Sequence, residues 1–141
     1  LGVLGVLDNK AMRRQAAETF ESLNVTVTSV HGEVGNMSGG QRQGIAVSRA
    51  VTWARYVLFM DEPTAALGVR QTRNVLDLIR RVRDRGVSVV LISHSVPEVM
   101  DVADRVEVLR LGRRVGRFAV AESSAEEIVG AIIGANDEVA S

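Results

Sequence analysis

Two nearly uninterrupted apolar runs, Tyr56–Met60 and Val87–Ser93, dominate the hydrophobic pattern of this chain. A short continuous apolar run that ends at a breaker is typical of a strand buried on both faces. Between the two runs, Arg70–Arg85 carries apolar residues at helical spacing and ends at Gly86. A strand, a helix and a second strand at this spacing predict a βαβ unit with parallel strands.

Weaker patterns predict the elements on either side of this unit. We expect helices near both ends, an extended connector or short strand between them, and a hairpin joined at Gly112. Ser95 and Glu98 predict a capping box for a further short helix. The fold class is therefore α/β, with a mainly parallel core and an antiparallel addition. The predicted elements are a helix over Lys10–Leu23 capped by Asp8 or Asn9, the connector 24–34, a helix over Arg42–Trp53, strands Arg105–Leu111 and Arg113–Ala119, and a helix over Ala125–Ile133 capped by Ser123 or Ser124.

Two adjacent carboxylates, Asp61 and Glu62, follow the first apolar run. Pro63 lacks a backbone N–H, so strand pairing should end there and leave both acids at the carboxyl end of the strand. Ligands bind at that edge of open α/β sheets, and acids there can hold a metal ion or polarise a water molecule. His94 follows the second strand and is expected at the same edge. The alternative is a strand that simply surfaces into a polar turn.

The segment Met37-Ser38-Gly39-Gly40-Gln41 precedes a helix. Ser38 and Gln41 fit a capping box, and the two glycines leave backbone N–H groups uncovered at the positive end of the helix dipole. This arrangement suits a phosphate group. An ordinary capped helix with permissive glycines is the alternative.

Composition narrows the function classes. The chain has 17 basic and 17 acidic residues, and this neutral balance argues against a dedicated nucleic-acid binder. It has no cysteine, which favours a reducing compartment and excludes a cysteine-based metal site. No apolar run approaches the ~18 residues of a membrane span. The apolar stretch Leu1–Leu7 lacks the positive region of a signal peptide.

Together, these segments resemble the nucleotide-binding subunit of ATP-binding cassette (ABC) transporters. Met37–Gln41 is similar to the signature motif, Leu58–Asp61 to the end of the Walker B strand, and Thr64–Gly68 to the D-loop, where the family usually has Asp in place of Gly68. The later segments 65–69 and 110–114 resemble the ATPases of ribose, xylose and fructose importers. The implied fold is a P-loop-NTPase-like parallel sheet flanked by helices, with a helical and signature part at about 1–54, a sheet core at about 55–120, and a C-terminal helix and tail at about 121–141.

The resemblance also implies roles and partners. The cofactors would be ATP and Mg²⁺, and the ATPase would form a head-to-tail dimer on the cytoplasmic face of the membrane. It would act with transmembrane permease subunits and, indirectly, with a sugar-binding protein. Asp61 would bind Mg²⁺, Glu62 would deprotonate the attacking water, His94 would donate a hydrogen bond to the γ-phosphate, and Ser38, Gly39, Gly40 and Gln41 would hold the γ-phosphate of a nucleotide bound mainly by the other subunit.

One expected motif is absent from the chain. No G-x-x-x-x-G-K-[ST] phosphate loop occurs, and Gly2, Gly5 and Lys10 do not meet the pattern. In the family this Walker A loop precedes the signature motif, so the sequence indicates a partial ATPase domain, with little ATP affinity or hydrolysis on its own. An ABC ATPase without a transport role, or a non-catalytic dimerisation or regulatory fragment, are the alternatives.

Overall fold

The computed structural model describes residues 7–27 and 29–135, and it confirms an α/β chain with a parallel strand pair and flanking helices. Strands β1 (Val57–Asp61) and β2 (Ser88–Ile92) are neighbours in one sheet, and β3 (Arg105–Arg110) pairs with β4 (Arg113–Ala119) in another. The elements are α1 (Asn9–Ser22), α2 (Gly39–Trp53), β1 (Val57–Asp61), α3 (Val69–Asp84), β2 (Ser88–Ile92), α4 (Val96–Val102), β3 (Arg105–Arg110), β4 (Arg113–Ala119) and α5 (Ala125–Ile133), with 3₁₀ turns at Val34–Asn36 and Val120–Glu122.

Contacts divide the chain into two compact units, Leu1–Val90 and Leu91–Ser141, so that β2 begins in the first and ends in the second. In the first unit, α2 packs against both α1 and α3. The amphipathic stripe of α3 is buried as its sequence predicts, and the helix ends where Gly86 adopts a left-handed φ of +82°. The buried apolar residues of this unit are Leu23, Met37, Val47, Val51, Leu58, Met60, Val75, Leu76, Leu78, Ile79, Val82 and Val87.

Local capping sets where α1 begins. The Asp8 carboxylate accepts a hydrogen bond from the Ala11 N–H at 2.9 Å, which selects Asp8 as the cap over Asn9. The following connector, 24–34, contains no strand within its described residues, so the short-strand alternative is not borne out there; residues 30–32 turn and bend, and a 3₁₀ turn begins at Val34. The predictions for residues 1–6 and for the tail 136–141 lie outside the described part of the chain.

The prediction that the first apolar strand is buried on both faces is wrong. Leu58 and Met60 are each 6% exposed, whereas Phe59 is 70% exposed and Tyr56 is 78% exposed. Strand β2 shows the same alternation, with Val90 and Ile92 exposed. Side chains alternate across a strand, so a continuous apolar run is compatible with one covered face or two. Within the first unit, only the face of β1 that carries Leu58 and Met60 is buried.

This asymmetry predicts opposite results for two adjacent substitutions in the 141-residue chain. Leu58→Ala is expected to lower the free energy of unfolding by about 2–5 kcal/mol, because it leaves a cavity in the core. Phe59→Ala is expected to change it by only about 0.5 kcal/mol, because that ring is largely in solvent. Urea denaturation followed by circular dichroism measures both. Equal losses at the two positions would contradict the one-sided burial of β1.

The second unit is built around the predicted hairpin. β3 and β4 run antiparallel with a bulge at Val108/Leu109, and Leu111 and Gly112 both have positive φ, as the two-residue turn of a twisted hairpin requires. Ser124 and Glu127 form the capping box that starts α5. The core of the unit consists of Val108, Ile128 and Ala131, with Val96, Met100, Val106 and Phe118 packed against them.

The capping box predicted for α4 is wrong in its hydrogen bonding. Ser95 is the N-cap residue, but its side chain makes no capping hydrogen bond among the described residues. Its own N–H instead donates to the Ser93 hydroxyl at 3.1 Å, which orients the chain entering the helix. None of the described helices is both long and apolar enough to cross a membrane.

Candidate functional site

The start of α2 forms the reciprocal capping box that the sequence predicts. The Gln41 N–H donates to Ser38 Oγ at 3.3 Å, and the Ser38 N–H donates to Gln41 Oε1 at 3.0 Å. These bonds occupy the side chains of both residues at the first turn. Ser38 therefore has its hydroxyl directed at the helix N-terminus, and local hydrogen bonds set the conformation of the turn.

The glycines of this turn leave its amides open. The N–H groups of Gly39 and Gly40 belong to the first helical turn, where no intrahelical carbonyl is available to accept from them. The Arg42 guanidinium donates to the Met37 carbonyl at 2.7 Å, which adds a positive charge beside the same helix end. Met37 itself is buried and anchors the segment. Open amides, the helix dipole and a fixed cation together favour an anion.

The two carboxylates lie where β1 ends, as predicted. Asp61 is the last residue of the strand and is exposed, and Glu62 follows it with a left-handed φ of +46°. A non-glycine residue in this region costs on the order of 1–3 kcal/mol and persists only where its surroundings impose it. Pro63 and Thr64 are buried directly after it, and the Glu62 carbonyl accepts from the Ala65 N–H at 3.1 Å. The burial of these two residues and the backbone hydrogen bond therefore both hold the turn in its conformation.

The fold brings this turn next to the capped helix start. A methyl group at Gly39 would lie 3.5 Å from Leu67 Cδ2, which is ordinary van der Waals contact. Both segments belong to the first unit. His94 is exposed and lies two residues beyond Ile92, in the second unit. The structure therefore places the Ser38–Gln41 helix start beside Leu67, in the turn that follows Asp61 and Glu62, within the first unit.

Two residues at this site were not predicted from the sequence. Arg42 holds the Met37 carbonyl, and Gln71 lies against Gly40 from the first turn of α3. No sequence pattern predicts that an arginine side chain donates to the backbone carbonyl five residues before it. Gln71 is separated from Gly40 by a whole strand and turn, so only the packing of α2 on α3 reveals the contact.

Asp61 and Glu62 suit a metal ion that takes most of its ligands from a bound phosphate group and from water. In the part of the chain that the structure describes, no group of three or more His, Asp or Glu side chains could hold an ion by itself. Asp61 and Glu62 offer carboxylate oxygens, the donor type that Mg²⁺ prefers. Mg²⁺ is commonly bound by one or two carboxylates together with substrate phosphates and water, so this donor set suits a metal that arrives with a phosphate ligand.

Comparison with known proteins identifies related sequences. Residues 4–65 match the family model described as ABC transporter. The chain is 51% identical over 110 residues to a fructose import ATP-binding protein of Rhizobium meliloti, covering 77% of this chain and 42% of that protein. It is 38% identical to a xylose/arabinose import ATP-binding protein of Sulfolobus acidocaldarius, covering 86% and 49%. A ribose import ATP-binding protein of Rubrobacter xylanophilus is 40% identical, with 95% and 26% covered. The chain thus spans half or less of the length of these relatives.

Solved structures share the fold. An inward-facing metal-chelate type ABC transporter aligns with a TM-score of 0.79 at 23% identity, covering 95% of this chain and 53% of that one. A dimeric ATP-binding cassette in a post-hydrolysis state, bound to ADP and phosphate, aligns with a TM-score of 0.67 at 21% identity, covering 82% and 50%.

Proposed function

The chain belongs to the ABC transporter family, and from this premise we propose that these residues carry the signature, Walker B and switch segments of the ATPase subunit of a monosaccharide importer. The observation that carries the proposal is the capped helix start with open amides, packed beside the turn that holds Glu62. The similarity to fructose, xylose and ribose import proteins supports the monosaccharide class.

The proposed chemistry is hydrolysis of the β–γ bond of ATP by water. Glu62 accepts a proton from the attacking water, and the turn fixes the backbone that carries this side chain. The amides of Gly39 and Gly40, with the Ser38 hydroxyl, hold a γ-phosphate, and Gln41 maintains the turn through its capping bond. His94 donates a hydrogen bond to the γ-phosphate. When bound, Mg²⁺ neutralises phosphate charge.

The proposed assembly is a symmetric pair of ATPase domains. In a head-to-tail dimer, the Ser38–Gln41 segment of one chain faces a nucleotide that the other chain holds. We divide the chain into three functional parts, which are the helical and signature part at about 1–54, the sheet core at about 55–120, and the C-terminal helix and tail at about 121–141. The dimer acts on membrane permease subunits from the cytoplasmic side, and a sugar-binding protein delivers the substrate to those subunits. No nucleic acid takes part.

Substitution of the proposed metal ligand tests this chemistry. In the complete ATPase, Asp61→Asn is expected to raise the Mg²⁺ concentration needed for half-maximal ATP hydrolysis by on the order of 10–100-fold, because a neutral amide replaces an anionic ligand. The measurement is phosphate release across a Mg²⁺ titration. Asp84→Asn is the matched control, because that carboxylate lies at the end of α3 and pairs with Arg83. An unchanged Mg²⁺ requirement in Asp61→Asn would exclude Asp61 as the metal ligand.

A further inference from the structure

Gln71 packs directly over a glycine of the anion-binding helix start. It lies in the first turn of α3, and a methyl group at Gly40 would lie 2.9 Å from its Cγ and 3.2 Å from its Cβ. Real Cβ atoms essentially never approach another heavy atom closer than 3.0 Å. The first turns of α2 and α3 therefore reach this separation because residue 40 has no side chain.

The far end of the same side chain lies over a second glycine. A methyl group at Gly68 would lie 2.9 Å from Gln71 Oε1. Gly68 has φ −75° and ψ 164°, a conformation open to any residue, so the backbone does not require glycine there. What Gly68 provides is room for the amide of Gln71. One side chain thus spans from the start of α2 to the end of the turn that begins at Glu62.

The Glu62–Gly68 turn, which Gln71 contacts, contains strained backbone that neighbouring residues must stabilise. Glu62 and Ala66 both adopt left-handed backbone conformations, with φ of +46° and +59°. Such residues keep their conformation only when neighbouring contacts impose it. Pro63 and Thr64 anchor the start of the turn by burial, and Gln71 contacts its last residue, Gly68.

We propose that Gln71 is a positioning residue that holds the Ser38–Gly40 helix start and the Glu62–Gly68 turn at a fixed separation. Its catalytic consequence rests on the proposed function, in which these segments carry the phosphate-binding amides and the general base. In the head-to-tail dimer the two segments of one chain serve different ATP molecules. Gln71 is then a rigid link between the two sites, and Gly40 and Gly68 are the small residues that make room for it.

The first arm of the test is hydrogen–deuterium exchange on the complete ATPase without nucleotide. Gln71→Ala is expected to increase exchange in both 37–44 and 62–69, because both segments lose a packing contact. Gln71→Met refills the volume over Gly40 and is expected to restore protection of 37–44. Asn74→Ala, an exposed position on the same helix, is the control and should leave both segments unchanged. If Gln71→Ala does not fold, Gln71→Asn, which is too short to reach Gly68, is expected to raise exchange in 62–69.

The second arm is a double-mutant cycle. Gly40→Ala places its methyl group against Gln71 and is expected to raise exchange in 37–44, and adding Gln71→Ala removes the Cγ atom and should reverse part of that increase. Additive effects of the two substitutions would overturn the proposed contact. So would unchanged exchange in Gln71→Ala.

The third arm measures ATP hydrolysis. Gln71→Ala is expected to lower kcat on the order of tenfold, with KM for ATP within about twofold, and Gln71→Met should recover most of the loss. A kcat equal to wild type in Gln71→Ala would refute the positioning role. A wild-type protein that hydrolyses no ATP would instead refute the proposed function. Hydrogen–deuterium exchange and the double-mutant cycle would then test by themselves whether Gln71 holds the two segments at a fixed separation.

Discussion

Replacing Glu62 with glutamine in the complete ATPase is expected to reduce steady-state ATP hydrolysis by about 10²–10⁴-fold while leaving ATP binding intact. The amide keeps the size and shape of the side chain, and the strained turn that presents it is held by Pro63 and Thr64. What is lost is the ability to accept a proton from water. Phosphate release measures the rate, and equilibrium binding of a fluorescent ATP analogue measures retention of the nucleotide.

A matched substitution separates this chemistry from a general effect of removing charge. Glu18→Gln on α1 removes a carboxylate that pairs with Arg14 at 3.7 Å and is largely in solvent. Exposed pairs of this kind contribute about 0–1 kcal/mol, so the control should hydrolyse ATP at the wild-type rate. Hydrolysis by Glu62→Gln at a rate within a few-fold of wild type would assign the general base to another residue.

The 141-residue chain by itself is expected to bind ATP more weakly than about 1 mM and to show no hydrolysis above background. It has no phosphate loop, and Lys10, its one lysine, lies in no such motif. In P-loop proteins, that loop supplies the amides and the lysine that hold most of the triphosphate. The open amides after Ser38 would meet only one phosphate group. Isothermal titration calorimetry of the chain against Mg-ATP measures the affinity.

The complete ATPase, titrated under the same conditions, is the control and is expected to bind in the micromolar range. A circular dichroism spectrum with the helical content of the described elements establishes that the shorter chain is folded. Micromolar affinity in the folded 141-residue chain would show that its own residues are sufficient for ATP binding. The division of labour between the phosphate loop and these segments would then be wrong.

Local sequence patterns predicted the elements that carry the site. The capping box at Ser38 and Gln41 forms as expected because it depends on residues three positions apart. The end of β1 at Asp61 likewise follows from Pro63, which cannot pair. Gly112 in the hairpin and Gly86 after α3 both have the positive φ that their positions predict. In each case the deciding interaction lies within one turn of the chain.

Features that depend on distant residues were not predictable in the same way. Whether Phe59 is covered depends on which elements pack against the second face of β1, and a run of apolar residues does not record that. The contact of Gln71 with Gly40 depends on how two helices pack. The capping bond of α4 does not form because the Glu98 N–H donates to the Ser95 carbonyl at 3.1 Å, a local acceptor that the capping pattern does not weigh.

Monosaccharide uptake is the measurement that tests the proposed importer role most directly. The complete ATPase is reconstituted in lipid vesicles with the permease subunits and sugar-binding protein proposed for it, and radiolabelled ribose, xylose and fructose are offered in turn. Uptake of at least one of these sugars is expected to require Mg-ATP, to be abolished by Glu62→Gln and to be retained in Glu18→Gln. Uptake that persists in Glu62→Gln, or a wild-type assembly that takes up none of the three sugars while hydrolysing ATP, would contradict this expectation.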